Sequence, residues 1–403
     1  MRKGILCTVP SDKTVLLFSV VLFFALILIS SGSHVQARQV KAPGGNPTPE
    51  AAVPAILAAF DTHEIVAIPA AHGMKDVDDF ILSLIRNPAF PEKVNDIEVE
   101  CGNSLYQTLL DRYIAGEDVP FTEVQKVWRN TTQPMCGTSG FYEQFFPLVR
   151  AINQKLPAAK RLRVLAGDPP IDWDQVKNSQ DIRKFFKRDD TITTVLVNEV
   201  LAKHRKALML FGLFHLMHGG GLNGASAVSM YEKDYPNLTV VISDLQDFEG
   251  NLPDLSGSVF AKWPTPSLAR FKGTWLGAMD LSHFYPAPLR LGKDCKVRNE
   301  FPESLQKPIA DLVDAFLYLG PQNLRLEEKM PADIAVDTDY TAELQRRAGL
   351  MEPFGPPIQT SKEMNQEILN GAAKPLIELL KPPDTKAIEQ SCLERKDQTK
   401  PPQ

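Results

Sequence analysis

What this 403-residue chain most plainly lacks is a basic excess: 44 lysines and arginines stand against 49 aspartates and glutamates, a net charge of -5 at pH 7. Without a positive face there is nothing to gather a phosphate backbone, so nucleic acid is excluded as the expected partner. Cysteine is scarce, with five residues and no CxxC spacing, which removes a zinc knuckle. There is no HExxH for a zinc protease, no GxSxG elbow for a serine hydrolase and no GxxxxGK[ST] phosphate loop. After the first thirty or so residues no apolar run is long enough to span a membrane. No internal repeat is visible.

The N-terminus reads as a targeting segment. Arg2, Lys3 and Lys13 precede an apolar run from Thr14 to Ile29, and "SHVQA" then places Val35 and Ala37 at the small-residue positions before a cleavage point. A signal peptide over residues 1–37 is expected, with an uncleaved anchor as the alternative. Either puts the folded part outside the cytoplasm, secreted or in the cell envelope, touching a membrane only through this segment. Cys7 leaves with the signal. Cys101, Cys136, Cys295 and Cys392 remain, an even number for an oxidising compartment, either paired or as buried thiols. Residues 38–50, "RQVKAPGGNPTPE", read as a flexible linker, and residues 381–403 as a tail.

Between these ends, from residue 51 to 380, one α/β domain is expected. Near-continuous apolar runs mark buried parallel strands at 64–70, 95–100, 161–168, 206–215 and 238–245. Helical patterns alternate with them: "DVDDFILSLIRN", "NSLYQTLLDRYIAG" ending at Gly116, "FYEQFFPLVRAINQKL" and "TITTVLVNEVLAKHRKAL". That alternation predicts a mainly parallel central sheet flanked by helices. From about residue 250 a largely helical and irregular C-terminal extension is expected. In it "KPIADLVDAFLYLGP" (307–321) and "KEMNQEILNGAAKPLIELLK" (362–381) read as helices. The aromatics Trp263, Trp275, Phe284 and Tyr285 raise the reading of an interaction surface, against the commoner role of core packing.

In open α/β sheets ligands bind outside the carboxyl ends of the strands. The first strand ends near His72, the second at Glu100, the third at Asp168 and the fourth at His215, with His218 just beyond. Each has a plainer role available. Glu100 could favour the helix start near Asn103, Asp168 could fix the turn before "PPIDW", and His218 heads a "HGGG" turn. Together they make a shared site the stronger reading. Two histidines and a carboxylate suit a metal that activates water, with His72, Glu100 and His215 as ligands. They equally suit a metal-free general base.

The stretches "VAIPAAHGMKDVDDF", "IEVECGNSLYQ" and "KRDDTITTVLVNEVLAKHRKALMLFGLFHL" resemble the superfamily of erythromycin esterases, TraB/TIKI-type proteins and ChaN-like haem-binding lipoproteins. The likeness covers about residues 60 to 245 and is nearest to uncharacterised bacterial members, which carry something like "GDPPIDW" (Gly167 to Trp173). The second G-x-x-H element is intact as Gly212 to His215, the Arg-Asp pair is Arg188–Asp189, and the strand-end acid is Glu100. The resemblance implies an α/β fold with His72, Glu100, His215, Arg188 and Asp189 as the catalytic set. Asp168, Asn103, His218 and Trp173 are the candidate ligand-binding residues. Where relatives have Gly-Glu before the histidine, this chain has Pro69 and Ala70, and Asp76 is the acid placed to compensate. The expected function is a secreted hydrolase of ester or amide bonds acting on a small molecule or peptide, with a divalent metal as the first cofactor to consider. The alternative is a non-catalytic haem- or metal-binding protein of the same fold, with His215 or His218 as axial ligands.

Overall fold

In the computed structural model of the chain the described residues are 44–70, 73–244, 259–285, 287, 289–291, 294–321 and 324–351, with short pieces between 386 and 394. The strands are β1 (Glu50–Ala51), β2 (Ile65–Pro69), β3 (Asp96–Asn103), β4 (Arg163–Asp168) and β5 (Ala207–Phe211). They continue as β6 (Thr239–Ser243), β7 (Ser267–Arg270), β8 (Leu289–Leu291), β9 (Val297–Asn299) and β10 (Ala315–Tyr318). Eight of them form one sheet in the order β1–β7–β10–β6–β2–β5–β3–β4, and β8 and β9 form a separate hairpin pair. From β10 to β4 all neighbours are parallel; β7 runs antiparallel to β10, and β1 to β7. The fold is α/β, as the alternation predicts.

The strands β2, β5 and β6 are near-continuously apolar because helices cover both of their faces. Val66, Ile68, Ile97, Val99, Leu208 and Leu210 face one core, shared with the helices Lys75–Arg86 and Gly140–Asn153. Ile65, Ala67, Met209, Phe211 and Leu165 face the other, shared with the helix Arg188–Glu199 and the C-terminal extension. The helix Lys75–Arg86 carries Asp76 and Asp78 in its first turn and Arg86 in its last, the charge order a helix dipole favours. Gly116 ends the helix Gln107–Ala115 in a left-handed conformation, φ 106°, as expected.

Three sequence expectations change. Residues 307–321 form no helix: a short 3-10 turn, Ile309–Asp311, leads into β10. "AFLY" is buried between β6 and β7, and short apolar runs buried on both sides do not distinguish strand from helix by periodicity. The fourth strand stops at Phe211, because the backbone turns at Gly212 into the short helix Leu213–Leu216. The part of the linker that is described is held rather than loose: Gly45 exchanges backbone bonds with Gly273 and Trp275 (both 3.0 Å), and β1 pairs with β7.

The aromatic segment is core. Trp263 and Phe284 are buried, Trp275 packs against the same cluster, and the Tyr285 hydroxyl meets Ser243 Oγ at 2.9 Å. This removes the observation behind an aromatic interaction surface. Two disulfides form, Cys101–Cys136 and Cys295–Cys392. No described helix is long and apolar enough to cross a membrane. The signal segment, the tail and the expected helix at 362–381 lie outside the described residues.

Candidate functional site

Successive side chains of β3 alternate between the two faces, so Asp96, Glu98 and Glu100 form an acidic row on one side. Each meets a different environment. At the amino end Asp96 is bound by Arg163 (2.6 Å) and Arg205 (2.6 Å). Glu98 lies wholly inside, between Leu165 of β4 and Met209 of β5, with no partner for either oxygen. Burial, and then the nearby Asp96, push its carboxyl well above the usual range. Glu100 stands at the carboxyl end, where the site begins.

The centre of that site is Arg188, the first residue of the helix Arg188–Glu199. Its Nη2 donates to Glu100 Oε1 at 2.7 Å and its Nε to Asp168 Oδ1 at 2.9 Å, with 15 % of the side chain exposed. The ends of β3 and β4 are thus joined through one guanidinium. Burial opposes its charge, but the two carboxylates outweigh that and hold it protonated far above its ordinary range. Glu100 is further fixed by the Gly212 amide, which donates to Oε2 at 2.5 Å. Gly167, one residue before Asp168, is required by packing: a Cβ there would meet the Phe211 ring at 2.5 Å and Glu98 Oε1 at 3.0 Å.

His215 completes the centre from the short helix after β5. Its Nδ1 lies 2.8 Å from Asp189 Oδ1, which also accepts from the Ala227 amide at 2.9 Å. Its Nε2 faces Arg188 Nη1 at 3.4 Å and Glu100 Oε1 at 3.9 Å. An arginine donates only, so this packing matches a neutral imidazole with the proton on Nδ1 and a lone pair on Nε2. Glu100, Asp168, Arg188, Asp189 and His215, all nominated by sequence, therefore form one connected network. His72 and Ala71 lie outside the described residues.

One loop essential to this network has no sequence signal. Thr132 gives its amide (2.5 Å) and its hydroxyl (2.7 Å) to Asp168, and Gln133 Nε2 lies 3.5 Å from Glu100 Oε1. Cys136 ties the same loop to Cys101, the residue after Glu100. Burial holds the Asp168 carboxyl above its usual range, against the opposing pull of Arg188 and the two Thr132 donors. Nothing in "NTTQPMCGTSG" announces this, because the residues are ordinary and their partner is 36 positions away.

Other nominated residues are engaged in holding the fold. The Asn103 amide donates to the carbonyls of Asn130 (2.7 Å) and Ile171 (2.8 Å), and its oxygen caps Leu105 N. Trp173 is buried, donates to Thr131 O at 3.2 Å and carries the Arg347 guanidinium over its ring. His218 is clamped between Glu232 and Asp314, each 2.9 Å away, which lifts it to about 9 against the cost of its burial. Ala70 is buried in the core with Val66 and Ile68, and Asp76 accepts from Leu326 N at 2.9 Å.

A resident metal does not fit Glu100 and His215 as they stand. Both Glu100 oxygens accept hydrogen bonds, and the open nitrogen of His215 faces a permanently charged guanidinium that would repel a cation. Among the described residues no three His, Cys, Asp or Glu side chains are grouped to hold an ion. His218 likewise has both ring nitrogens occupied, which leaves no axial ligand for haem there.

No protein-family model matches the chain, and no curated protein matches it. Among solved structures, a Bacillus cereus protein is similar at TM-score 0.42 and 12% identity, over 68% of this chain and 94% of that one. A mutant of the erythromycin esterase EreC in its open conformation is similar at TM-score 0.41 and 11% identity, over 66% and 92%. The haem-binding ChaN of Campylobacter jejuni is similar at TM-score 0.29 and 11% identity, over 48% and 86%. These are likenesses of α/β architecture.

Proposed function

We propose that the chain is an extracytoplasmic hydrolase of ester or amide bonds, working without a resident metal. The observation that carries this is the His215–Arg188 pair. Asp189 holds Nδ1 of the imidazole, Nε2 is presented 3.4 Å from a guanidinium, and that guanidinium is fixed by two carboxylates. In the reaction His215 Nε2 takes a proton from water, the water oxygen adds to the carbonyl carbon, and Arg188 stabilises the oxyanion that develops. A pre-oriented charge in a partly dry site is the kind of group that stabilises a transition state, because it does not reorganise as the charge forms. The expected extracytoplasmic location is supported by the two disulfides.

The test is release of product from a panel of chromogenic esters and anilides by the wild type, His215→Ala and Arg188→Ala. A positioned general base contributes roughly 10²- to 10⁴-fold, so His215→Ala should lose about that much with its fold retained. Equal activity in the three proteins would reject the assignment.

A second reading rests on a different observation: Arg188 Nη1 is taken by neither carboxylate and faces His215 Nε2 at 3.4 Å, which offers one edge of the guanidinium as an anchor for a ligand anion. The chain would then bind a carboxylate without cleaving anything. Calorimetric binding of small carboxylates, lost in Arg188→Ala while the whole ester panel stays uncut, would select it.

A further inference from the structure

The loop that secures Asp168 is itself fastened from behind. Thr132 gives its amide and its hydroxyl to the Asp168 carboxylate, and Asp168 in turn holds Arg188 Nε at 2.9 Å. The residues on either side of Thr132 are gripped by the helix Thr338–Met351, far along the chain. Arg347 Nη1 donates to Arg129 O and Nη2 to Asn130 Oδ1, both at 2.7 Å. The Tyr340 hydroxyl donates to Gly137 O at 2.9 Å. Glycine allows that approach, since a Cβ at position 137 would meet the Tyr340 oxygen at 2.8 Å.

The same helix holds the segment that follows Asp168. The Arg347 guanidinium lies over the Trp173 ring, 4.7 Å from its centre, and Arg346 donates to Trp173 O (3.0 Å) and Val176 O (2.9 Å). Trp173 Nε1 closes the circuit by donating to Thr131 O at 3.2 Å. Between loop, ring and helix is a space of only about 10 Å³, lined by Arg129, Thr132, Gln133, Trp173, Leu344 and Arg347. That is room for at most one water. A shift of the helix is therefore passed to the loop rather than taken up in a void.

Arg347 is buried, 7% exposed, and pairs with Glu343 at 2.6 Å. A hydrophobic side chain of similar size stabilises such a place about as well as a buried ion pair does. What the arginine adds is direction, because its planar fork fixes two acceptors while its face rests on a ring. We propose that Arg347, assisted by Tyr340, is a positioning residue for the Arg188 centre. Through Arg129 O, Asn130 and Trp173 it holds Thr132 against Asp168, and Asp168 holds the guanidinium toward its ligand.

This rests on the reading that Arg188 meets an oxyanion, whether one that develops in hydrolysis or one carried by a bound carboxylate. Two nitrogens of the guanidinium are set by Asp168 and Glu100, so its plane follows those two carboxylates. A loop released by Arg347 lets the Asp168 carboxylate turn, and the plane turns with it. Misplacement by about 1 Å from a change remote from the chemistry costs on the order of 10²-fold in rate.

The experiment is nitrogen–proton correlation spectroscopy of the arginine side chains in the whole protein, with thermal midpoints and the kinetics of a chromogenic ester. The Arg188 Nε–H signal is identified by its loss in Arg188→Lys. The proteins compared are wild type, Arg347→Met, Arg347→Lys, Tyr340→Phe and the control Arg150→Met. Arg150 also binds backbone carbonyls, those of Tyr113, Gly116 and Glu117, but away from Asp168. The Arg188 signal should move in Arg347→Met, move less in Tyr340→Phe, return part of the way in Arg347→Lys and stay in place in Arg150→Met. In Arg347→Met kcat should fall roughly 10- to 10²-fold with KM held. A signal unmoved in Arg347→Met, an equal movement in Arg150→Met, or wild-type kcat in Arg347→Met overturns the proposal. If Arg347→Met does not fold, Tyr340→Phe, which removes a single hydroxyl, decides in its place. A signal that moves as expected in a chain whose wild type cleaves no ester upholds the positioning role and rejects the hydrolase reading alone.

Discussion

At the scale of single residues, Arg188 is the group on which the site depends. Its guanidinium bridges Glu100 and Asp168, so the effect of losing it divides into two parts. Arg188→Met leaves two buried carboxylates facing each other, and breaking a buried pair from one side costs roughly 3–5 kcal/mol. Arg188→Lys keeps the charge but not the fork, and an ammonium cannot reproduce the two directed bonds at 2.7 and 2.9 Å. Urea denaturation should therefore show Arg188→Met strongly destabilised and Arg188→Lys nearer the wild type, while carboxylate binding or hydrolysis falls in both. Wild-type function in Arg188→Lys would show that charge alone matters. His215→Asn is the counterpart: its side chain can still meet Asp189, so stability should change by under about 1 kcal/mol while the base is gone.

At the scale of elements, the five parallel strands and the acids at their ends were legible because apolar runs and strand-end chemistry are local signals. β10 was not: "AFLY" is a strand only because β6 and β7 leave a gap for it, and that gap is a tertiary fact. The Thr131–Gly140 loop was equally silent, since its value lies in distant partners. Gln107 shows the same limit, bonding Val164 O (2.9 Å) and Ala166 N (2.7 Å) so that a side chain covers the edge of β4. The two disulfides allow the loop's role to be separated from bulk stability. Cys295–Cys392 closes 97 residues and Cys101–Cys136 closes 35, so chain entropy makes the first worth ~0.9 kcal/mol more. Only the second holds the loop that binds Asp168. Cys101→Ser/Cys136→Ser should thus lose more function for less stability than Cys295→Ser/Cys392→Ser, checked by denaturation midpoints beside activity or carboxylate binding. The reverse order of functional loss would detach the loop from the site.

At the scale of the whole molecule, buried acids and one clamped histidine set the pH dependence of stability. Glu328 moves from an ordinary 4.5 to about 7, so its protonated form is favoured by folding; that contribution is full below 4.5 and lost as pH rises to 7. Asp78 and Glu98 shift in the same direction, through burial first, so their contribution is likewise lost as pH rises above the usual carboxylate range. His218 moves from 6.5 to about 9 because Asp314 and Glu232 favour its charge more than burial opposes it. Its ion pairs therefore stabilise fully below 6.5 and fade through 9. Glu199 and Glu343 work the opposite way, losing their contribution only as pH falls below the usual carboxylate range. The three buried acids and His218 therefore all tilt stability downward from mildly acidic to alkaline pH, although the net charge of -5 is small. Thermal midpoints should decline steadily between pH 5.5 and 9. Glu98→Gln should flatten that decline by replacing an ionisable group with a neutral one of the same shape, and His218→Gln should flatten it between 6.5 and 9. A wild-type midpoint that rises across this interval would mean that folding does not raise these carboxyls, and the effect of burial assigned to Glu98 and Asp78 would be withdrawn with it.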